Sequence, residues 1–188
     1  MRILLIGGGG VVGTALATRM RARHKVTVLD VRPVTIPGVR SVVADANEYE
    51  SLEAHVPEAD AVVHLAAIVP RGPEQARQID AAVRLNVGSV VGALTISVQE
   101  RLRSFVHISS LSVFQEFGRH PIRAGALPDS TAPYGLSKRL AEQACAALAA
   151  EPTTVTSLRL AFPAQEQDWP RWRSPSNPDA EGARALRL

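Results

Sequence analysis

The chain begins with MRILLIGGGGVVGTALATRM, residues 1–20, in which four consecutive glycines separate a short apolar run from a segment with helical spacing. The run RILLI, residues 2–6, is apolar after its first residue and stops at a glycine, which is typical of a strand buried on both faces. The glycines allow three interpretations: a flexible joint, the centre of a secretion signal, or a turn at which the backbone approaches another molecule closely.

The rest of the chain repeats this alternation of short apolar runs and helical patterns. Continuous apolar strands separated by helices predict a parallel sheet covered by helices on both faces. We therefore predict an α/β fold with a doubly wound parallel sheet. The later predicted strands are KVTVLD, SVVAD, DAVVHLAA, RSFVHISS and TVTSLRLA, and the longest predicted helical segments span residues 79–100 and 134–150.

Length and composition indicate a single globular domain. The 188 residues are 46% apolar and 21% charged, and no stretch reaches the roughly 18 uninterrupted apolar residues of a membrane span. We expect the domain to cover residues 1–163 and a tail rich in proline, serine and charge to cover residues 164–188. The net charge of +3 comes from scattered arginines, so neither a nucleic-acid nor a membrane partner is expected.

Two further features concern the cellular compartment. The glycines would interrupt the helical centre of a secretion signal, so that interpretation is disfavoured and a cytoplasmic location is expected. Cys145 is the single cysteine, which excludes an internal disulfide, and its apolar helical surroundings predict a buried, inert thiol. No metal site is predicted.

Gly7, Gly10 and Gly13 recur at a spacing of three between the first strand and the first helix. Glycine is needed where φ is positive or where a Cβ would hold the backbone away from a diphosphate, and the helix that follows directs free N–H groups at such an anion. Gly13 would also let the helix pack closely on the sheet. A plain strand-to-helix turn shows the same spacing, so both interpretations stay open. For Gly8 and Gly9 we predict no role, and we expect Gly10→Val to lose cofactor binding and Gly9→Val to have a milder effect on it.

Asp30 ends the second predicted strand, 17 residues after Gly13. A carboxylate there can accept both ribose hydroxyls of an adenosine and would repel a 2′-phosphate, which favours NAD over NADP. Arg32 indicates the opposite, because its guanidinium could hold that phosphate. A simple cap on the next turn is the alternative role for Asp30.

Tyr134 and Lys138 lie four residues apart in APYGLSKRLAEQ, so both project from one face of a helix. A nearby ammonium favours the phenolate, so we expect the pKa of Tyr134 to be lowered and its side chain to exchange a proton with a substrate hydroxyl during hydride transfer to nicotinamide. A solvated helix face would show the same spacing. The pair follows a predicted strand that ends in serines, at the edge where open α/β sheets bind ligands. These serines are Ser109, Ser110 and Ser112.

With these motifs in order, the chain resembles the extended short-chain dehydrogenases/reductases, the NAD-dependent epimerase/dehydratase family of nucleotide-sugar enzymes, from Met1 to about Pro163. The resemblance implies an NAD(P)-binding Rossmann fold. The matching motifs are GxxGxxG from Gly7 to Gly13, Asp30, Asp45, HLAA from His64 to Ala67, LNVGS around Asn86, ISS at Ser109 and Ser110, YxxxK at Tyr134 and Lys138, and LRL around Arg159.

The resemblance also implies roles for individual residues. Ser110 corresponds to the catalytic Ser/Thr that hydrogen-bonds the reacting oxygen, and Tyr134 to the general acid/base. Lys138 corresponds to the residue that holds the nicotinamide ribose and shifts the pKa of the tyrosine. For His64 we expect a core position rather than a catalytic one. The implied cofactor set is Gly7, Gly10, Val11, Val12, Gly13, Asp30, Arg32, Asp45 and Ala46 (at adenine), Leu65, Ala66 and Ala67 (along the diphosphate and ribose), Asn86 (as a support), Tyr134 and Lys138.

The chain departs from the family pattern in two respects. Leu111 and Ser112 follow Ser110 where the 4,6-dehydratases resemble one another in having Asp-Glu, so dehydration is not expected. Family members also continue well beyond this length, so most of the usual C-terminal substrate region is expected to be absent. Trp169 and Trp172 would either close the site as a lid or anchor the tail on the surface.

Two hypotheses of function follow. The first is an NAD(P)-dependent oxidoreductase or epimerase that acts on a small, sugar-like substrate. The second is a dinucleotide-binding module without catalysis, acting as a redox sensor or scaffold. The segments 79–100 and 134–150 correspond to helices that pair in the family's dimers, so a homodimer is expected, although the same apolar residues could instead face the sheet.

Overall fold

The computed structural model describes residues 1–72, 74, 77–117, 122–123 and 125–161. The predicted tail at 164–188, with Trp169 and Trp172, lies outside the described residues. The strands are β1 Arg2–Ile6, β2 Lys25–Asp30, β3 Val39–Val43, β4 Ala61–His64, β5 Ser104–Ser110 and β6 Thr154–Leu160. The α-helices are α1 Val11–Met20, α2 Tyr49–His55, α3 Ile79–Val83, α4 Ser89–Gln99 and α5 Pro133–Leu148, with a π-helical turn at Arg84–Gly88 and a 3-10 turn at Leu111–Val113.

All the strand pairs in the sheet are parallel, and the strand order is β3-β2-β1-β4-β5-β6. The predicted doubly wound parallel sheet is therefore confirmed, and its order is that of a Rossmann fold. The order reverses between β1 and β4, which pair with Ile6 opposite His64. Loops that leave these two neighbours run in opposite directions, so they open a crevice at the carboxyl ends of the strands.

Apolar residues cover both faces of the sheet because successive strand residues point to opposite sides. Leu4 and Ile6 pack in a cluster with residues of α2, α4 and α5. Ile3 and Leu5 pack in a second cluster with Ala17 of α1. The α1 face is less completely covered toward β6, where Leu158, paired with Ile108, is 49% exposed.

The predicted helix at 79–100 is interrupted. Its middle turn, Arg84–Gly88, is π-helical, and this wider turn separates α3 from α4. Segment Ile79–Gln99 has a mean hydropathy of 1.5 and is long and apolar enough to cross a membrane by length and composition alone. Its buried residues, Val90 and Leu94 among them, pack in the core, as those of a core helix do. The π-helical turn carries Asn86, for which the family resemblance implied a supporting role at the cofactor site.

Candidate active site

The glycine turn leaves open space in front of α1. Gly7 has a φ of +75°, in the left-handed region, and a Cβ there would overlap the backbone of Ala66. A Cβ on Gly13 would overlap the backbone of Gly8. At Gly10 the nearest neighbour of a Cβ would be the Gly7 carbonyl oxygen, 4.0 Å away. No side chain caps α1, so the N–H groups of its first turn are available to an anion.

Gly8 and Gly9 are constrained by packing, so the prediction that they have no role was wrong. The Gly9 N–H donates to Asp30 Oδ2 at 2.8 Å, and a Cβ on Gly9 would stand 2.7 Å from the carboxylate carbon. A Cβ on Gly8 would stand 2.9 Å from Cγ1 of Val28. These two glycines let the turn lie directly on β2, a contact between distant residues that glycine spacing does not reveal.

Asp30 lies at the carboxyl end of β2 with 9% of its surface exposed. Its Oδ1 accepts a hydrogen bond from the Arg32 N–H at 3.1 Å, so Asp30 also caps the turn after β2. The Arg32 side chain is 73% exposed, and its Nε lies 3.9 Å from the same oxygen. Each carboxylate oxygen keeps a further lone pair, so Asp30 can still accept ribose hydroxyls.

The loop after β4 lies beside the glycine turn. The N–H groups of Leu65 and Ala66 both donate to the Ile6 carbonyl, at 2.7 and 2.9 Å. This double contact holds the start of the HLAA segment next to the end of β1. The structure therefore brings the glycine turn, Asp30 and the predicted diphosphate path to one edge of the sheet.

The two residues implied at adenine follow β3. Asp45 Oδ1 accepts hydrogen bonds from the backbone and side-chain amides of Asn47, at 2.9 and 3.0 Å. Ala46 is 5% exposed and its side chain belongs to the core cluster. Ala46 can thus contribute only its backbone to a ligand in this conformation.

Asn86 holds the loop after β4 against α5. Its Oδ1 accepts from the Ile68 N–H at 2.7 Å, and its Nδ2 donates to the Ile68 carbonyl at 2.8 Å and to Ser137 Oγ at 2.9 Å. The side chain is fully buried. This geometry suits the supporting role that the resemblance implied, and it leaves no direct contact with a cofactor.

Ser110 and Tyr134 meet at the end of β5. Ser110 Oγ accepts from the Ser112 N–H at 3.1 Å and donates to Ser112 Oγ at 3.0 Å, and its hydroxyl lies close enough to Tyr134 to act against the raised pKa of the phenol. Gly135 permits this approach, because a Cβ there would overlap the Ser112 carbonyl oxygen and Ser130 Oγ. The first turn of α5 therefore lies directly against the 3-10 turn that follows β5.

The environment of Tyr134 differs from the sequence prediction. Burial raises the pKa of Tyr134, and the Ser110 hydrogen bond and the charge of Arg71 oppose this only in part. The expected lowering by Lys138 was wrong, because the Lys138 ammonium donates to the Ile108 carbonyl at 2.8 Å. The phenol therefore keeps its proton at neutral pH.

Lys138 is 1% exposed, and burial lowers its pKa to about 8, against the opposing influence of Cys145 and Glu142. Beneath it lie His64 and His107, both fully buried. Burial lowers the pKa of His64 well below its usual range and that of His107 to about 3, so both rings are uncharged. His64 Nε2 bonds Ser89 Oγ at 2.8 Å, which confirms its predicted core position.

Sequence reasoning missed three contributors. Gly135 had a possible signal, since a glycine in the first turn of a helix lowers helix propensity and so needs a packing reason. Glu142 accepts a hydrogen bond from Ser109 Oγ at 2.6 Å, so Ser109 is bound to α5 and, unlike its neighbour Ser110, does not approach Tyr134. Arg71, whose charge reaches Tyr134, comes from the loop after β4. No local pattern indicates the last two, because their partners are distant in sequence.

Cys145 is buried and free, which confirms its predicted burial, and burial raises the pKa of its thiol. Among the described residues, no group of three or more His, Cys, Asp or Glu side chains is arranged to hold a metal. The chemistry of this edge therefore comes from the helix N-terminus, Asp30 and the group Ser110, Tyr134 and Lys138.

The sequence profile of the NAD dependent epimerase/dehydratase family matches residues 3–163. This match confirms the family that the motifs predicted. A comparison with the curated proteins gives no match.

Solved structures extend the comparison. MoeE5 in complex with UDP-glucose and NAD is 28% identical, with a TM-score of 0.74 over 85% of this chain and 54% of that one. A short-chain dehydrogenase/reductase superfamily protein from Agrobacterium tumefaciens with bound NAD is 26% identical, with a TM-score of 0.74 over 85% and 48%. The UDP-glucuronic acid 4-epimerase of Bacillus cereus with NAD shares the fold at 24% identity and a TM-score of 0.72, over 85% and 55%. The chain thus spans about half the length of the structures that it matches.

Proposed function

Because this chain belongs to the NAD dependent epimerase/dehydratase family, we propose that it is an NAD-dependent enzyme that acts on a hydroxyl or ketone of a sugar or nucleotide sugar. The observation that carries this proposal is the meeting of Ser110 and Tyr134 at the carboxyl end of β5, with Lys138 one turn further along α5. In a doubly wound sheet this edge receives the ligand.

NAD is supported by the residues at the neighbouring edge. The uncapped first turn of α1 and the open space at Gly10 suit a diphosphate. Asp30, buried and held by the glycine turn, presents a carboxylate that would accept ribose hydroxyls and repel a 2′-phosphate. The Arg32 Nε lies 3.9 Å from Asp30 Oδ1, so the carboxylate offsets part of its positive charge. These features favour NAD over NADP.

The proposed chemistry assigns one task to each side chain. Bound NAD supplies hydride acceptance and return at its nicotinamide ring. Tyr134, as the neutral phenol, would give its proton to the substrate oxygen when a ketone is reduced, and its phenolate form would accept the hydroxyl proton when an alcohol is oxidised. Ser110 would hydrogen-bond the same oxygen, and the buried Lys138 would bring positive charge to the ribose.

The substrate class is supported by the neighbours. MoeE5, at 28% identity, was solved with UDP-glucose and with UDP-glucuronic acid. We propose a nucleotide sugar or a simpler sugar as substrate. Epimerisation and simple oxidation or reduction use the same proton and hydride positions.

The test is Tyr134→Phe, with Tyr49→Phe as the matched control. Tyr49 is the other tyrosine of the chain and lies on α2 with 44% of its surface exposed. Removal of the Tyr134 hydroxyl is expected to lower turnover of UDP-sugars by about a hundredfold or more, because a general acid/base contributes about that much. NADH affinity, followed by fluorescence, should stay within about twofold. Equal turnover in both variants would contradict the proposal.

A second function is supported by the glycine turn, the uncapped start of α1 and Asp30, which suit a dinucleotide without involving a catalytic side chain. We propose as the alternative a dinucleotide-binding module without catalysis, acting as a redox sensor or scaffold. Saturable NADH binding without turnover of UDP-glucose, UDP-glucuronic acid or small alcohols would support it. Any turnover that Tyr134→Phe abolishes would exclude it.

Two further proposals concern assembly and location. We propose a homodimer through α4 and α5, which pack side by side and expose Leu140 at 37%. A monomer at tens of micromolar in analytical ultracentrifugation would contradict this. We also propose a cytoplasmic location, which the buried free thiol of Cys145 supports, since thiols stay reduced there. Cell fractionation would check it.

A further inference from the structure

A network of polar contacts lies behind Ser110 and Lys138. Glu142, one turn after Lys138 on α5, accepts from Ser109 Oγ at 2.6 Å. Arg159 of β6 donates to both of its carboxylate oxygens, at 2.9 and 2.8 Å. The Arg159 guanidinium carbon lies 5.0 Å from the centre of the Phe114 ring. The Glu142 side chain is only 10% exposed, so a largely buried carboxylate joins β5, β6 and α5.

Glu142 and its partner Arg159 contact segments next to the proposed site. Ser109 directly precedes Ser110, and Phe114 ends the 3-10 turn that carries Ser112. The paired, doubly hydrogen-bonded geometry of an arginine and a carboxylate gives directional contacts. Glu142 therefore restrains the serine turn relative to the helix that carries Lys138.

The charged and titratable groups around Lys138 come from three elements. Cys145 and Glu142 lie on its own helix, His64 ends β4 and His107 lies on β5. Both histidines are uncharged at neutral pH, because burial lowers their pKa values. Burial also raises the pKa of the Cys145 thiol above its ordinary value, so this group is neutral near pH 8. Of these described groups, Glu142 alone supplies negative charge while Lys138 is protonated.

We infer that Glu142 is a positioning residue that keeps the buried Lys138 in its charged form and fixes the serine turn against α5. The inference rests on the proposed function for the role of Lys138. Without Glu142, Lys138 would stay buried but would lose the carboxylate, one turn away on α5, that favours its charged form. Because Arg159 pairs with this carboxylate, it offsets part of the negative charge that Glu142 presents to Lys138.

The chain allows a direct test, because Lys25 and Lys138 are its only lysines. NMR of the full chain labelled at lysine would follow both titrations without cofactor. Glu142→Gln is expected to lower the Lys138 midpoint by about one pH unit, the smaller end of the effect of a nearby opposite charge. Arg159→Gln, at a side chain 30% exposed, should raise the midpoint. Lys25 serves as an internal control.

The outcomes separate this inference from the proposed function. If neither Glu142→Gln nor Arg159→Gln moves the Lys138 midpoint, while thermal stability falls, Glu142 is only a structural clamp and the inference is overturned. Should Glu142→Gln fail to fold, the upward shift in Arg159→Gln decides alone. Where turnover is found, the alkaline limb of its pH profile in Glu142→Gln should move down with the NMR midpoint. Absence of turnover would contradict the proposed function and leave the NMR result intact.

Discussion

At the scale of single residues, the glycines of the turn differ in how closely the rest of the fold packs against them. Gly9 is pressed against Asp30, whereas Gly10 faces open space. That substitution of Gly9 affects cofactor binding less than substitution of Gly10 stays a prediction, but for folding Gly9 is the more constrained of the two. A Cβ at Gly10 would have the Gly7 carbonyl oxygen, 4.0 Å away, as its nearest neighbour from the rest of the fold. Its main effect would therefore be to exclude a ligand from the space in front of α1.

We predict that Gly9→Ala mainly lowers stability and that Gly10→Ala mainly weakens cofactor binding. Gly9→Ala should destabilise the fold by about 1–3 kcal/mol, because its Cβ would crowd the Asp30 carboxylate and force a shift. Gly10→Ala should leave stability nearly unchanged and weaken NADH binding at least tenfold. Urea unfolding and fluorescence titration measure the two effects. Similar stability losses in both variants would count against this view of the turn.

At the scale of elements, the π-helical turn between α3 and α4 places the buried amide of Asn86 between the loop after β4 and helix α5. Asn86 joins the loop after β4 to α5 through Ile68 and Ser137. π-Helical turns of this kind occur often at functional sites. Here the turn connects the strand that borders the crevice with the helix that carries Tyr134 and Lys138.

Asn86→Ala should lower the free energy of unfolding by about 2–3 kcal/mol, because the backbone of Ile68 and the hydroxyl of Ser137 lose a buried hydrogen-bond partner. Asn47→Ala provides the control, since Asn47 is exposed and bonds only to Asp45 among the described residues. It should cost less than about 1 kcal/mol. Chemical denaturation of both variants measures the difference. Equal costs would show that the Asn86 contacts add no stability.

At the scale of the whole molecule, buried neutral histidines link stability to pH. His107 is fully buried, and neither of its ring nitrogens has a partner in the described structure. Its folded pKa of about 3 lies below the ordinary 6.5, so the unfolded chain binds the proton first as pH falls. Stability is complete above pH 6.5 and is lost as pH drops toward 3. His64, also lowered, acts in the same direction.

We predict that lowering the pH below 6.5 reduces the unfolding free energy by about 1.4 kcal/mol per pH unit for each such histidine. His107→Leu should remove one share of this dependence and leave stability at pH 7 equal or higher, because two unpartnered ring nitrogens disappear. Denaturation curves between pH 7 and 4 measure the slope. An unchanged slope in His107→Leu would show that His107 is already accessible to protons.

The amino-acid sequence by itself determined the parallel sheet, the helix order, the glycine turn, Asp30 and the alignment of Ser110, Tyr134 and Lys138 with a family. These features depend on periodicity and short spacing, which a single chain displays directly. The tertiary structure alone decided what Gly9 touches, where the Lys138 ammonium points, which way the pKa of Tyr134 moves and what Glu142 binds. Each of these depends on burial or on partners distant in sequence, and only the packed fold brings such groups together.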